Sequence, residues 1–120
     1  MSDPPVLFHN KANCSKCAGA LELLRASGIE PEVVDITVQP LGAAQLRDIA
    51  RMTGAPLRAL VRTGEAAYAA AGLDDDSSDD ALAAAMVAHP ELVERPILVH
   101  RGRAVVGRPP ERVLELFDLG

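Results

Sequence analysis

The chain is short and acidic, which limits the classes of protein it can belong to. It has 120 residues, of which 48% are hydrophobic and only 2% aromatic, and its formal net charge is −5 at pH 7. A chain of this length can bury one core, so we expect a single domain over residues 1–120, packed by small aliphatic side chains. The negative charge and the lack of a basic run argue against nucleic acid as a partner.

Neither a membrane span nor a secretory signal is predicted. No stretch approaches the roughly 20 apolar residues that cross a bilayer, and residues 1–5 lack the basic-then-apolar layout of a signal peptide. We therefore expect a cytoplasmic protein, without membrane contacts, and a monomer. Thiols in that compartment are kept reduced between turnovers.

The first part of the chain predicts a β-α-β unit. Val6–His9 is a short apolar strand, and a helix follows from about Ser15 to Ala26, ended by Gly28. The β-branched segment Glu32–Ile36 is the second strand. Such a crossover usually joins parallel strands with a right-handed connection.

Helices dominate the next part. Apolar residues recur at helical spacing after Pro40 and stop at Gly54, which predicts a second helix. Residues 56–90 are predicted to form a helical insert of short pieces: Leu57–Arg62, Glu65–Ala71 and Asp79–Ala88. The acidic run at residues 74–80 is better explained as a solvated connection that caps the last of these than as a calcium loop.

The final part predicts a β-hairpin and a helix. Ile97–His100 and Arg103–Val106 are separated by the two-residue turn Arg101-Gly102, and two prolines then open a helix over Glu111–Phe117. The whole order predicts an α/β protein of thioredoxin-like fold. Its mixed four-stranded sheet would be flanked by helices, with the helical insert before the C-terminal hairpin.

Two cysteines lie where the first helix begins. Cys14 stands at the expected N-terminus, with Lys16 and Cys17 directly after it. Unpaired N–H groups and the positive end of the helix dipole stabilise an anion there, and Lys16 acts in the same direction. Cysteines in such surroundings have pKa values of roughly 3.5–7.5 instead of about 8.5. The pattern therefore favours redox or nucleophilic chemistry.

Two other uses of the cysteines were considered. A structural zinc site usually needs four ligands, and the three histidines that could complete one, His9, His89 and His100, lie far apart in the sequence. No metal is therefore expected. A static structural disulfide is not favoured either, because two cysteines close together in the sequence, between a strand and a helix, are typical of redox sites.

An ordered set of motifs resembles the glutaredoxin-dependent arsenate reductase (ArsC) family over nearly the whole chain. The set consists of His9-Asn10, the cysteine that opens the first helix, Arg58–Arg62, Arg95–Val99 and Gly107–Pro110. In that family the cysteine attacks arsenate, glutathione displaces the thiol-bound arsenic intermediate, and glutaredoxin clears the mixed disulfide. The resemblance implies arsenate as substrate, glutathione as co-substrate, glutaredoxin or thioredoxin as partner, and no bound cofactor.

The resemblance also assigns roles to residues. It makes Cys14 the nucleophile and Arg62, Arg95 and Arg108 a clamp for the oxyanion. Guanidinium groups suit this task because their planar fork donates two hydrogen bonds and does not deprotonate. Taken singly, each arginine could instead form a surface salt bridge with an acid such as Glu94 or Glu111.

Two supporting residues follow from the same resemblance. Pro96 lies where thioredoxin-like folds hold a cis-proline facing the active cysteine, so we predict a cis bond after Arg95. His9 matches a family histidine near the thiol, where a protonated imidazole would favour the thiolate. It could equally be a strand-end histidine with a structural hydrogen bond.

Cys17 departs from the family pattern, which usually has a serine there and a proline in the preceding loop. It could resolve an oxidised Cys14 by forming a disulfide, since residues three apart meet on one helix face, or it could be an inert buried thiol. The pair also leaves two alternative functions open. One is a thiol-disulfide oxidoreductase of unknown substrate, and the other is a redox-sensing transcription regulator like Spx, which binds RNA polymerase.

Overall fold

A mixed sheet of four short strands forms the centre of the molecule. The computed structural model describes residues 5–9 and 15–117, with the backbone alone for 15–17. The strands are β1 (Val6–His9), β2 (Glu32–Asp35), β3 (Ile97–His100) and β4 (Arg103–Val106). Their order is β2-β1-β3-β4, with β1 parallel to β2 and the other pairs antiparallel. The predicted strands and hairpin are confirmed.

The helices follow the predicted order. They are α1 (Ser15–Ala26), α2 (Ala43–Thr53), α3 (Ala66–Ala70) and α4 (Asp79–Ala88). Three 3₁₀ segments lie between and after them: Leu57–Leu60, Pro90–Leu92 and Pro110–Leu116. Within the described residues, no helix is both long enough and apolar enough to span a bilayer.

The acidic connection before α4 is a helix cap. The Ser78 hydroxyl accepts a hydrogen bond from the Ala81 N–H at 3.1 Å, and Asp79 and Asp80 occupy the first turn of α4. Carboxylates there oppose the positive end of the helix dipole. The run therefore stabilises the start of α4, as predicted.

The last helical segment differs from the prediction. It is a 3₁₀ helix over Pro110–Leu116, whereas a helix over Glu111–Phe117 was expected. A period of three residues per turn places Pro110, Val113 and Leu116 on one face. Val113 is fully buried, and Pro110 lies against Gly19 of α1. The tighter helix thus lets one residue in three face the core.

Alternating side chains of the strands serve two cores, one on each face of the sheet. Leu7, Leu98 and Val105 pack with α1 and the last 3₁₀ segment. Their neighbours Ile97 and Ala104 point to the opposite face, where α2 and the insert, which includes α4, cover them. A shift of one residue in the pairing of a strand would move its side chains to the opposite faces of the sheet.

Three chain segments meet at one edge of the sheet. Because β3 runs antiparallel to β1 and β4 antiparallel to β3, the start of β3 lies beside the ends of β1 and β4, with Ile97 opposite both Phe8 and Val106. β1 ends at this same edge with His9, and the cysteines follow it in the sequence. Residues before β3 and after β4 are therefore placed to form a site there.

Gly107 makes a close approach at this edge. Its N–H donates a hydrogen bond to the Pro96 carbonyl at 2.8 Å. A Cβ on Gly107 would lie 2.9 Å from both Pro96 Cγ and Val113 Cγ1. These atoms belong to a ring and to a fully buried side chain, so neither can move away easily.

We expect Gly107→Ala to lower the free energy of unfolding by about 1–3 kcal/mol, because the added methyl group overpacks this contact. Urea denaturation followed by circular dichroism measures the change. Gly64→Ala is the matched control, since a Cβ there meets no atom within 4 Å. Its effect should stay within about 0.5 kcal/mol, and equal effects of the two variants would contradict the packing explanation.

Candidate functional site

A backbone bridge joins the segment before β3 to the segment after the first 3₁₀ turn. Val61 pairs with Val93, the Arg62 N–H donates to the Leu92 carbonyl at 2.7 Å, and the Glu94 N–H donates to the Leu60 carbonyl at 2.7 Å. This short antiparallel ladder places Arg62 beside Glu94, although most of the insert lies between them in the sequence. Both side chains lie near the sheet edge described above.

The Glu94 carboxylate lies between two arginines. Its Oε1 is 3.5 Å from Arg62 Nε, and its Oε2 is 3.7 Å from Arg108 Nε. Arg62 has a second acidic neighbour, since its Nη1 is 3.3 Å from Glu65 Oε1. The predicted clamp residues Arg62 and Arg108 are thus brought together through a shared counterion.

Arg108 is held more firmly than these ion pairs suggest. Its Nε donates a hydrogen bond of 2.7 Å to the Arg95 carbonyl. The Arg95–Pro96 peptide bond is cis, as predicted, and the Arg108–Pro109 bond is also cis, which was not predicted. The two arginine-proline pairs are therefore linked directly at the sheet edge.

Arg95 is the most unusual residue of the group. It is only 7% exposed, and its Nε and Nη1 atoms are fully buried without a hydrogen-bond partner among the described residues. Burying polar atoms without partners costs free energy, and burying an unpaired charge costs more. Within the described part of the chain, no partner offsets the desolvation of these two N–H groups.

His9 lies at the end of β1 and is 6% exposed. Its carbonyl accepts the Ile36 N–H at 2.9 Å, and it is opposite Asp35 in the parallel pair. The backbone at this position is therefore part of the sheet. The predicted assistance of His9 to the thiol stays a prediction.

Cys14 lies outside the described residues, so its distance from the arginines stays a prediction. Lys16 and Cys17 belong to the first turn of α1, which begins at Ser15. This confirms that the helix starts directly after Cys14, where the sequence placed it. The part of the chain that the structure describes contains no group of three His, Cys, Asp or Glu side chains that could hold a metal ion.

Two clefts meet at Glu94. One has a volume of about 630 Å³ and is lined by Arg62, Glu65 and Glu94, among others. The other, of about 280 Å³, is lined by Glu94, Arg108 and Arg112 on its charged side. An anion that enters either cleft therefore meets an arginine of the group and the same carboxylate.

Sequence reasoning treated Glu94 only as a surface partner of a single arginine, and it missed Glu65. The spacing of Glu65, three residues after Arg62, was an available signal for a pair on one turn. No signal in the sequence shows that one carboxylate serves two arginines, because that depends on the bridge between Val61 and Val93.

Comparison with known proteins shows the family of this chain. The family model described as "ArsC family" matches residues 8–116. The chain belongs to the ArsC family. YfgD of Escherichia coli K12 is 46% identical over 112 residues, which cover 92% of this chain and 93% of that protein. A Neisseria meningitidis serogroup B protein named arsenate reductase is 42% identical over 109 residues, which cover 89% and 92%.

Solved structures of the family have the same architecture. The structure titled arsenate reductase from Vibrio cholerae superposes with a TM-score of 0.90 at 40% identity, covering 98% of this chain and 100% of that one. An ArsC family related protein from Bacteroides fragilis has a TM-score of 0.81 at 22% identity, which shows a shared fold. The predicted thioredoxin-like fold and family are therefore confirmed.

We expect Arg95→Met to raise the free energy of unfolding of the ligand-free protein by about 1–2 kcal/mol. Methionine fills a similar volume and removes the unpartnered N–H groups. Arg108→Met is the matched comparison and should lower it by about 1–3 kcal/mol, because a hydrogen bond from a charged group is lost. Chemical denaturation measures the free energy of unfolding of both variants. If Arg95→Met lowers it as much as Arg108→Met does, the N–H groups of Arg95 are not unpartnered.

Proposed function

We propose that this ArsC family member is a thiol-dependent oxidoreductase that reduces arsenate to arsenite through Cys14. The observation that carries the proposal is that Arg95 is buried, with its Nε and Nη1 unpartnered among the described residues, while Arg108 bonds the Arg95 carbonyl and shares Glu94 with Arg62. Three arginines on linked segments at the edge where β1 ends, before the cysteines in the sequence, suit a small oxyanion substrate. The names of relatives such as the Neisseria protein support the same substrate.

Electrostatics explains why the reaction needs such a cluster. Arsenate near neutral pH carries one to two negative charges, and a thiolate that approaches it is repelled unless cations neutralise the oxyanion. In the proposal, Arg62, Arg95 and Arg108 bind the oxygens and stabilise the charge that develops as sulfur attacks. Burial strengthens the contribution of Arg95, because its field is less screened than that of an exposed arginine.

The nucleophile is proposed to be the thiolate of Cys14. α1 begins at Ser15, so the positive end of its dipole lies next to Cys14 in the chain. Lys16, in the first turn, supplies a further positive charge, and His9 at the end of β1 assists from the sheet. Together they favour the thiolate over the thiol.

The proposed reaction takes two electrons from two thiols. Cys14 attacks arsenic, a sulfur–arsenic bond forms, and one oxygen leaves as water. A second thiol then attacks the Cys14 sulfur, the sulfur–arsenic bond breaks, and its electron pair stays on arsenic, which is released as arsenite. The disulfide left on Cys14 is reduced by a dithiol protein.

Glutathione is proposed as the second thiol, and glutaredoxin or thioredoxin as the protein that reduces the resulting disulfide. No bound cofactor is required, because the electrons come from these thiols. We further propose that the protein works as a cytoplasmic monomer with one domain over residues 1–120, since glutathione is abundant and reduced in that compartment.

A second candidate is a thiol-disulfide oxidoreductase with another substrate. Cys17 favours it, because a second thiol three residues after Cys14, in the first turn of α1, suits thiol-disulfide exchange. A regulator that binds RNA polymerase through the same cysteine pair is a weaker candidate, since it has no use for a buried, unpartnered Arg95.

We expect Cys14→Ser to abolish arsenate reduction, because a hydroxyl cannot supply the thiolate. Arg95→Ala should lower kcat/KM for arsenate roughly 30-fold to 10³-fold, since one contact to the developing charge is lost. The assay follows arsenite formation with glutathione, with and without glutaredoxin. Reduction of a small disulfide, measured in parallel, separates the two enzyme candidates.

Arg103→Ala is the matched control for the loss of an arginine. Arg103 is exposed and begins β4, so it lies at the end of that strand away from Arg108. The kcat/KM of Arg103→Ala for arsenate should stay within about twofold of the value for the unaltered protein. Full arsenate reduction by Cys14→Ser or Arg95→Ala would contradict the proposed site, and disulfide reduction without arsenate reduction would favour the second candidate.

We expect mild oxidation of the native protein to produce a disulfide between Cys14 and Cys17, because residues three apart face one another on a helix. Peptide mapping by mass spectrometry detects it. In Cys17→Ser, oxidation in the presence of glutathione should leave glutathionylated Cys14 instead. A native map that shows only glutathionylated Cys14 would contradict a resolving role for Cys17.

A further inference from the structure

The position of Glu94 is not explained by a clamp for anions. A carboxylate between Arg62 and Arg108 partly cancels the field of both guanidinium groups and repels a bound anion. If the site only had to attract negative charge, a neutral residue at this position would serve better. The carboxylate therefore calls for a second function in ligand recognition.

The backbone of Glu94 is fixed close to Arg62. Its backbone N–H is bound to the Leu60 carbonyl at 2.7 Å, in the bridge that also fixes Arg62. Its side chain is only 23% exposed, and it lines both clefts of the site. A ligand bound by Arg62 and Arg108 together must therefore lie beside this carboxylate.

The Glu94 oxygens retain acceptor capacity. The distances to Arg62 Nε and Arg108 Nε, 3.5 and 3.7 Å, exceed those of ordinary N–H···O hydrogen bonds. A carboxylate has about four lone-pair positions, so each oxygen can accept another hydrogen bond. A ligand with an O–H group would satisfy them, whereas a ligand without one would bring its negative oxygens against them.

We propose that Glu94 is a specificity-determining residue that selects protonated tetrahedral oxyanions against fully ionised ones. Arsenate and phosphate keep at least one O–H group at neutral pH and can donate it to Glu94. Sulfate has none at that pH, so the same carboxylate repels it. The inference rests on the proposed function, because it assumes that Arg62, Arg95 and Arg108 hold the anion.

The test measures binding of inorganic phosphate and of sulfate to the reduced, full-length protein at neutral pH by isothermal titration calorimetry. Neither anion oxidises Cys14, so binding is separated from turnover. We expect phosphate to bind at least about tenfold more tightly than sulfate, as sites that pair with a ligand hydroxyl reject analogues lacking it. In Glu94→Gln this ratio should fall about tenfold or more, mainly through tighter binding of sulfate.

Two further variants separate the role of Glu94 from general effects. Glu94→Asp retains the carboxylate and should keep the preference for phosphate, even if both anions bind more weakly. Glu65→Gln removes one negative charge that contacts Arg62 but not Arg108, so both anions should bind more tightly with an unchanged ratio. Thermal unfolding of each variant verifies that it is folded.

The outcomes distinguish this proposal from the proposed function. Equal binding of the two anions by the native protein, or an unchanged ratio in Glu94→Gln, would overturn the role of Glu94 while leaving the anion site in place. An equal change of ratio in Glu65→Gln would also overturn it. Failure of the native protein to bind either anion would overturn the arginine site itself.

Discussion

Burying N–H groups of a guanidinium without partners raises the free energy of the folded chain, and Arg95 at the sheet edge carries two such groups, Nε and Nη1, which have no partner among the described residues. The neighbouring contacts hold the surrounding backbone. The Arg95 carbonyl is bound by Arg108, and the bridge between Val61 and Val93 holds the preceding segment. These contacts join the segments that carry Arg62, Arg95 and Arg108.

The charges near Arg95 are balanced rather than simply positive. Arg62 and Arg108 share Glu94, and Arg62 also contacts Glu65, so part of their positive field is neutralised before any ligand binds. This arrangement reduces repulsion between Arg62 and Arg108, whereas no acidic partner of Arg95 lies among the described residues.

The topology explains why distant parts of the sequence contribute to one site. Antiparallel pairing places the start of β3 beside the ends of β1 and β4, so the segments at His9, Pro96 and Gly107 share one edge. Successive side chains of each strand point to opposite faces of the sheet, so one face packs against α1 and the other against the insert. The insert turns back to this edge through the pairing of Val61 with Val93.

The sequence by itself determined the strands, most helices, the hairpin turn and the family, because local periodicity, glycine positions and ordered motifs are read without distances. It did not determine the 3₁₀ form of Pro110–Leu116, whose first residue packs against Gly19, or the sharing of Glu94 by two arginines. It also did not show that Arg95 is buried while Arg62 and Arg108 are partly exposed. Burial and counterion sharing depend on which segments the fold brings together, and only tertiary structure decides that.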